Sequence, residues 1–269
     1  MNKKLLVGCA FVFLLIVAAL TKPSSEGLEL LECSFDDVAE TNISFFVDQE
    51  LLESMPMQDV EKSLRSSIKY ANQVLKNSCV PLTRTLGRIE PLNIDKSKVQ
   101  SLPSVFRLVS NTLKERGIVV SEIAPNEKYG LLFHGKHENQ LRLSGQASPY
   151  FGAWIFAISS KAQIHILEHE LGHLSWAQHA ENFPVPNLTM RLRSAVPREY
   201  HVNLVQYARA AKCGSSGTIM SYERDILPIY SSPKVSFQGK SCGDDETADN
   251  ARVMREYASK LLNFSSGKK

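Results

Sequence analysis

The sequence has no internal repeat, no low-complexity tract and no run of like charge, which sets aside solenoids, linkers and charged tails. Its net charge is only +3, so composition favours no particular partner, and no nucleic-acid ligand is expected. Cysteine is scarce, at five residues, and nothing resembling a long propeptide precedes the first expected strand. The apolar run from Leu5 to Leu20 falls short of the roughly 20 residues that a membrane helix needs. What remains is ordinary globular material: 269 residues, 43% hydrophobic and 22% charged, with room for one sizeable domain.

That short apolar run follows Asn2-Lys3-Lys4 and ends near Val17-Ala18-Ala19, the form of an export signal, with an uncleaved anchor as the alternative. Leu6-Val7-Gly8-Cys9 mimics a lipoprotein box, but almost no apolar segment precedes Cys9. A secreted or periplasmic location is expected, and a membrane is a partner only if residues 5–20 remain as an anchor. Removing Cys9 with the signal leaves Cys33, Cys79, Cys213 and Cys242, an even set suited to an oxidising compartment. Three pairings are open. Cys33 with Cys79 and Cys213 with Cys242 is favoured, because each pair lies within one half of the chain. In a glycosylating host Asn42, Asn187 and Asn263 are acceptors.

The stretch that demands a chemical explanation is His169-Glu170-Leu171-Gly172-His173 with His179 beyond it. Helical residues four apart differ by about 40° of rotation and about 6 Å of rise, so His169 and His173 can face one ion. Glu170 lies beside the open side of such an ion, where a carboxylate can take a proton from water. On a continuing helix His179 would lie roughly 9 Å beyond His173 on another face, so the chain must leave the helix between them. Three neutral imidazoles and one water position then make tetrahedral zinc with an open site; a structural zinc would use a fourth protein ligand. His165 is too far along the axis to share the ion with both of the others and is read as packing or support.

Downstream stands Gly217-Thr218-Ile219-Met220-Ser221-Tyr222. With this segment the sequence resembles the metzincin zinc endopeptidases, whose pattern is HExxHxxGxxH followed by a methionine turn. The resemblance implies one catalytic Zn2+ on His169, His173 and His179, Glu170 as general base, and Met220 as the apolar floor of the Met-turn. It also implies protein or peptide substrates, and a monomer is expected. Tyr222 looks like the tyrosine that some metzincins swing toward zinc or the oxyanion. The Cys213–Cys242 pair would bracket the Met-turn, whereas a competing role for Cys33 is to mask zinc in a latent form. The tail, with Ala248-Asp249-Asn250-Ala251-Arg252, looks like the end of secreted bacterial reprolysin-like proteases.

The chain departs from that pattern at Trp176, which stands where the family carries the glycine that permits positive φ. Either a neighbour such as Ser175 or Gln178 makes the turn, or the strain is tolerated and metal binding offsets it. Two other readings stay open: Glu181 or Glu199 as third ligand in a zinc peptidase of the HExxH-plus-glutamate type, and a non-catalytic exported zinc-binding module.

The expected fold is layered α/β: a mixed, mostly parallel sheet with backing helices and the zinc helix, then a smaller irregular part with the Met-turn and a terminal helix. Signal or anchor (residues 1–20), polar lead-in (21–40), N-terminal catalytic subdomain (41–179) and C-terminal subdomain (180–269) follow in order. Residues 43–52 read as a strand; from Pro56 a helix places Met57, Val60, Leu64, Ile68, Ala71 and Leu75 on one stripe. Residues 80–94 read as extended, 104–116 as a helix stopped by Gly117, and 130–134 as a buried strand. Residues 149–158 are strongly β-prone, and the resemblance implies an edge strand there, with Gly152 and Ala153 against the substrate backbone; a plain core strand with its aromatics buried is the alternative. Residues 200–212 read as a helix, 230–239 as a loop, and a last amphipathic helix carries Ala251, Met254, Ala258 and Leu261.

Overall fold

The computed structural model describes residues 27–95, 99, 101–138, 144–180 and 193–267; the export signal, Glu181 and Asn187 lie outside them. Strand β1 (Leu28–Glu29) precedes β2 (Ala39–Asp48), whose last residue caps the short helix α1 (Gln49–Ser54) by accepting from Glu50 N. The strand therefore starts earlier than expected, and the chain turns at Asp48. The long helix α2 (Met57–Asn77) leads to β3 (Leu82–Leu92), then α3 (Leu102–Glu115) and β4 (Glu127–Phe133). Strand β5 (Gly145–Ala147), a helical turn at Pro149–Gly152, β6 (Ile155–Ser159) and the histidine helix (Ile166–Leu174) follow.

The central sheet has the order β3-β2-β4-β6-β5, in which β5 alone runs antiparallel, against β6. Successive side chains on β2 point to opposite faces. Phe45 and Val47 meet Leu64 and Ile68 of α2 and Leu167, Leu171 and Leu174 of the histidine helix. Phe46 meets Val105, Val109 and Leu113 of α3 on the other side. This is a mixed α/β sandwich around a mostly parallel sheet, with the histidine helix on one face beside the antiparallel edge.

The expectation for residues 149–158 needs correcting. The edge strand is β5, while Ile155–Ser159 is fully buried between β4 and β5, as its continuous Ile-Phe-Ala-Ile run requires. Gly152 and Ala153 end the helical turn before it rather than lying on an edge, and a Cβ on residue 152 would press into the Phe106 ring.

Beyond residue 193 the chain is irregular. A 3-10 turn (Arg198–Asn203) replaces most of the helix expected over 200–212; of its expected inward residues, Val202 is 80% exposed and Val205, Tyr207 and Ala211 are only partly buried. The chain there bonds sideways instead: Ala210 N donates to Gln178 O, and Asp249 N to Tyr207 O. Short strands β7 (Lys212–Cys213) and β8 (Ser216–Gly217) precede β9 (Ser232–Phe237), which replaces the expected loop by pairing with β1 and with β10 (Lys240–Cys242). The C-terminal helix (Asn250–Ser265), capped by Asp249, packs Met254, Ala258 and Leu261 against Met220, Tyr230 and the end of α2.

Disulfides join Cys33 to Cys79 and Cys213 to Cys242, so the sulfur of Cys33 is bonded and does not reach a metal. Among the described residues no helix is long and apolar enough to cross a membrane. The two disulfides are compatible with an extracytoplasmic location.

Candidate metal centre

The histidine helix ends as its local hydrogen bonds dictate. Trp176 N donates to His173 O and Ala177 N to Gly172 O, a Schellman closure with Trp176 at its left-handed position. Its φ is 74°, so the turn is made at Trp176 itself and not at Ser175 or Gln178. A side chain in that region costs roughly 1 to 2 kcal/mol, which surrounding contacts must offset.

The closure has two consequences. It turns Ala177 O back to accept from His173 Nδ1 at 3.0 Å, and it returns the chain so that His179 faces the helix. His179 Nε2 lies 3.0 Å from His169 Nε2 and 2.9 Å from His173 Nε2. His169 Nδ1 donates to Ile219 O at 2.9 Å, and the third Nδ1 faces Tyr222 Oη at 3.0 Å. With the Nδ1–H of His169 and of His173 donated outward to carbonyls, their Nε2 lone pairs face His179 Nε2, a donor set that a shared cation would fit. Burial holds all three imidazoles in the neutral form that ligates. His169 is lowered by burial alone, His173 well below its usual range by burial and both neighbours, and His179 to about 3 by burial, His169 and Arg209.

Glu170 flanks this cluster. Its Oε2 is buried with no hydrogen-bond partner, and burial pushes the carboxyl well above the usual carboxylate range. Gly145 of β5 lies so close that a Cβ there would stand 2.5 Å from Glu170 Oε1. Edge strand and carboxylate thus share one cleft of about 1080 Å³, which also holds the three histidines, Tyr222 and His165. Beneath the helix, Met220 is fully buried, and a Cβ on Gly172 would meet its Sδ at 2.6 Å; glycine there lets the methionine segment approach. That approach is what carries Ile219 O to His169.

The sequence-predicted residues His169, Glu170, His173, His179, Met220 and Tyr222 therefore meet in one place, and Gly152 and Ala153 do not join them. Tyr222 reaches the site, but its hydroxyl sits behind the third imidazole, and burial and Glu170 push it up to about 12. His165 lines the cleft outside the ligand group, lowered to about 4 by burial and His169. Exposed Glu199 belongs to no potential ligand group. Among the described residues the other such group is Asp48, Glu50 and His137, whose carboxylates are already engaged. Asp48 accepts from Glu50 N and His134 N, and Glu50 pairs with Lys136 and His137.

Sequence reasoning passed over the support below the helix. Glu168, fully buried, accepts from Arg84 Nε at 3.1 Å and Nη2 at 3.0 Å and from Tyr230 Oη at 2.7 Å. Arg84 Nη1 also donates to Thr41 Oγ1 at 2.9 Å. The alternation Leu82-Thr83-Arg84-Thr85-Leu86 held the signal, since it puts an arginine on the side of two leucines.

No family model matches the sequence, and no curated protein matches it significantly. Among solved structures, a chain described as a chaperone-substrate complex superposes with a TM-score of 0.60 at 14% identity. It covers 84% of this chain, which spans only 35% of that chain's length. Metalloproteinase-II from Bacteroides fragilis aligns over 85% of this chain and 56% of its own, at 14% identity and a TM-score of 0.45. The first of these likenesses speaks to the fold.

Proposed function

We propose that this chain is an exported zinc-dependent endopeptidase of the metzincin type, cleaving protein or peptide substrates with Glu170 as general base. One observation carries the reading: His179 Nε2 within 3.0 Å of both other Nε2 atoms, each imidazole anchored through Nδ1, beside a buried carboxylate whose Oε2 has no partner. Zinc held by His169, His173 and His179 would supply Lewis acidity toward a carbonyl oxygen and acidify an attacking water.

The chain's own residues do the rest. The raised pKa of Glu170 suits a group that takes a proton from water and returns it to the leaving amine. The outer edge of β5 borders the cleft and offers main-chain groups to an extended peptide. Tyr222 holds the third imidazole from behind, Ile219 O holds the first from below, and Met220 packs under the helix at Gly172. A hydroxyl so placed donates to an oxyanion only after leaving His179.

The test is a casein and peptide-library digest with metal analysis. Wild type should carry one equivalent of zinc and lose cleavage to a chelator. Glu170→Gln should keep the zinc and lose at least about 100-fold in rate. Intact cleavage by Glu170→Gln would remove Glu170 as the general base, and zinc binding without any cleavage by wild type would return the chain to a zinc-binding module without catalysis.

A further inference from the structure

A helix that merely had to end at residue 176 would be better served by glycine, yet this chain keeps an indole in the left-handed region. Strain retained beside a reactive centre is a pointer to function. Trp176 is half-buried and lines the cleft that contains His169, Glu170 and His179, together with Val196 and Leu204. Tyr200 stacks on the indole, with ring centroids 5.8 Å apart and planes 30° from parallel. Trp176 N is tied to His173 O at 2.9 Å, so the wall stands about one helical turn from the ligands. An extended peptide advances about 3.4 Å per residue, which keeps that wall within a residue or two of the bond being cut.

We propose that Trp176, backed by Tyr200, is a specificity-determining residue: it forms an apolar subsite for a large aliphatic or aromatic side chain next to the scissile bond. The proposal rests on the peptidase reading and adds the class of side chain selected. The strained backbone is what aims the indole. A residue with ordinary negative φ would prolong the helix and carry His179 away, while glycine would end the helix with no wall. The indole offers a broad apolar face at little cost in side-chain entropy.

Quenched-fluorescent peptides identical except for Phe, Leu, Ala or Asp at each position flanking the cut provide the test. At one flanking position wild type should prefer Phe or Leu over Ala by about 10-fold or more in kcat/KM. Trp176→Gly should bring that ratio to within about 3-fold while keeping one equivalent of zinc, and Trp176→Phe should restore most of it. A ratio unchanged in Trp176→Gly overturns the subsite. Loss of zinc from that variant also overturns it, since the indole would then serve to hold His179. Calorimetry of the same peptides against Glu170→Gln, with and without Trp176→Gly, separates the two readings. Cleavage without side-chain preference sinks the subsite alone; a Trp176-dependent binding preference without any cleavage by wild type sinks the peptidase reading alone.

Discussion

Glu168 and Glu170 sit two residues apart on one helix, and both are buried. Two helical steps turn about 200°, so they occupy opposite faces. The lower carboxylate, Glu168, is met by Nε and Nη2 of Arg84 and by the hydroxyl of Tyr230. The upper one, Glu170, has an oxygen with no partner and a glycine pressed against it. The same side chain in the same burial thus serves two ends. Below the helix the carboxylate's bonds hold β2, β3, Tyr230 and the helix together; above it one carboxylate oxygen is left without a partner in the cleft.

The most severe way to break this comparison is to remove the partner of the lower carboxylate. Arg84→Met leaves Glu168 buried and unpaired, which typically costs about 3 to 5 kcal/mol. A chain of this size should then melt roughly 6 to 20 °C lower. The double variant Arg84→Met/Glu168→Leu should recover most of the loss, because the unpaired charge goes with its partner. A single variant as stable as wild type by calorimetric melting would mean that the lower face is not held by this pair.

A smaller effect reads the charge on that lower face. Lys128 of β4 is buried, donates to Pro125 O at 2.7 Å and stands 5.8 Å from the Tyr257 ring. Burial, and then the repulsion of Arg84, lower its amine to about 7, with Glu127 opposing. In the unfolded chain it titrates near 10.5. Between about 7 and 10.5 the unfolded state binds a proton that the folded state does not, so this group makes stability rise with pH across that window, and its cost is full below about 7. Urea unfolding of wild type and Lys128→Met from pH 6 to 9 should show the variant gaining most at low pH, with the difference shrinking as pH rises. A difference independent of pH would mean that Lys128 stays charged in the fold.

The two faces were unequally legible in the sequence. The upper one announced itself, because metal ligation needs a few residue types at fixed helical spacing, and His169, Glu170, His173 and His179 carry that spacing in one short stretch. The lower one did not. Arg84 and Glu168 are 84 positions apart, and only the parallel pairing of β2 with β3 beneath the helix brings them together. The helices α2 and α3 and the C-terminal helix followed from their apolar stripes. The edge strand was misplaced because a three-residue strand, Gly-Gln-Ala, has no pattern of its own and takes its conformation from β6. The irregular chain from Tyr200 to Lys212 failed for a related reason: its backbone bonds go to Gln178 and Asp249, partners that no local period encodes.

The smallest expected effect sharpens the comparison most, since it asks for a near-zero on the upper face. Glu170→Gln keeps the shape of the side chain beside Gly145 and removes a carboxylate that burial keeps from ionising easily. With no hydrogen bond to Oε2 to lose, folding without metal should change by less than about 1 kcal/mol, or improve. Glu168→Gln is just as isosteric, yet it weakens charged hydrogen bonds from Arg84 and Tyr230 and should cost about 1.5 to 3 kcal/mol or more. Denaturant unfolding of both variants, stripped of metal, decides it. Equal losses would mean that Glu170 supports the fold as strongly as Glu168 does, and a carboxylate tied down in that way is not free to move a proton. A loss confined to Glu168 leaves the upper carboxylate with no structural task, and cleavage is then the one property in which its removal can register.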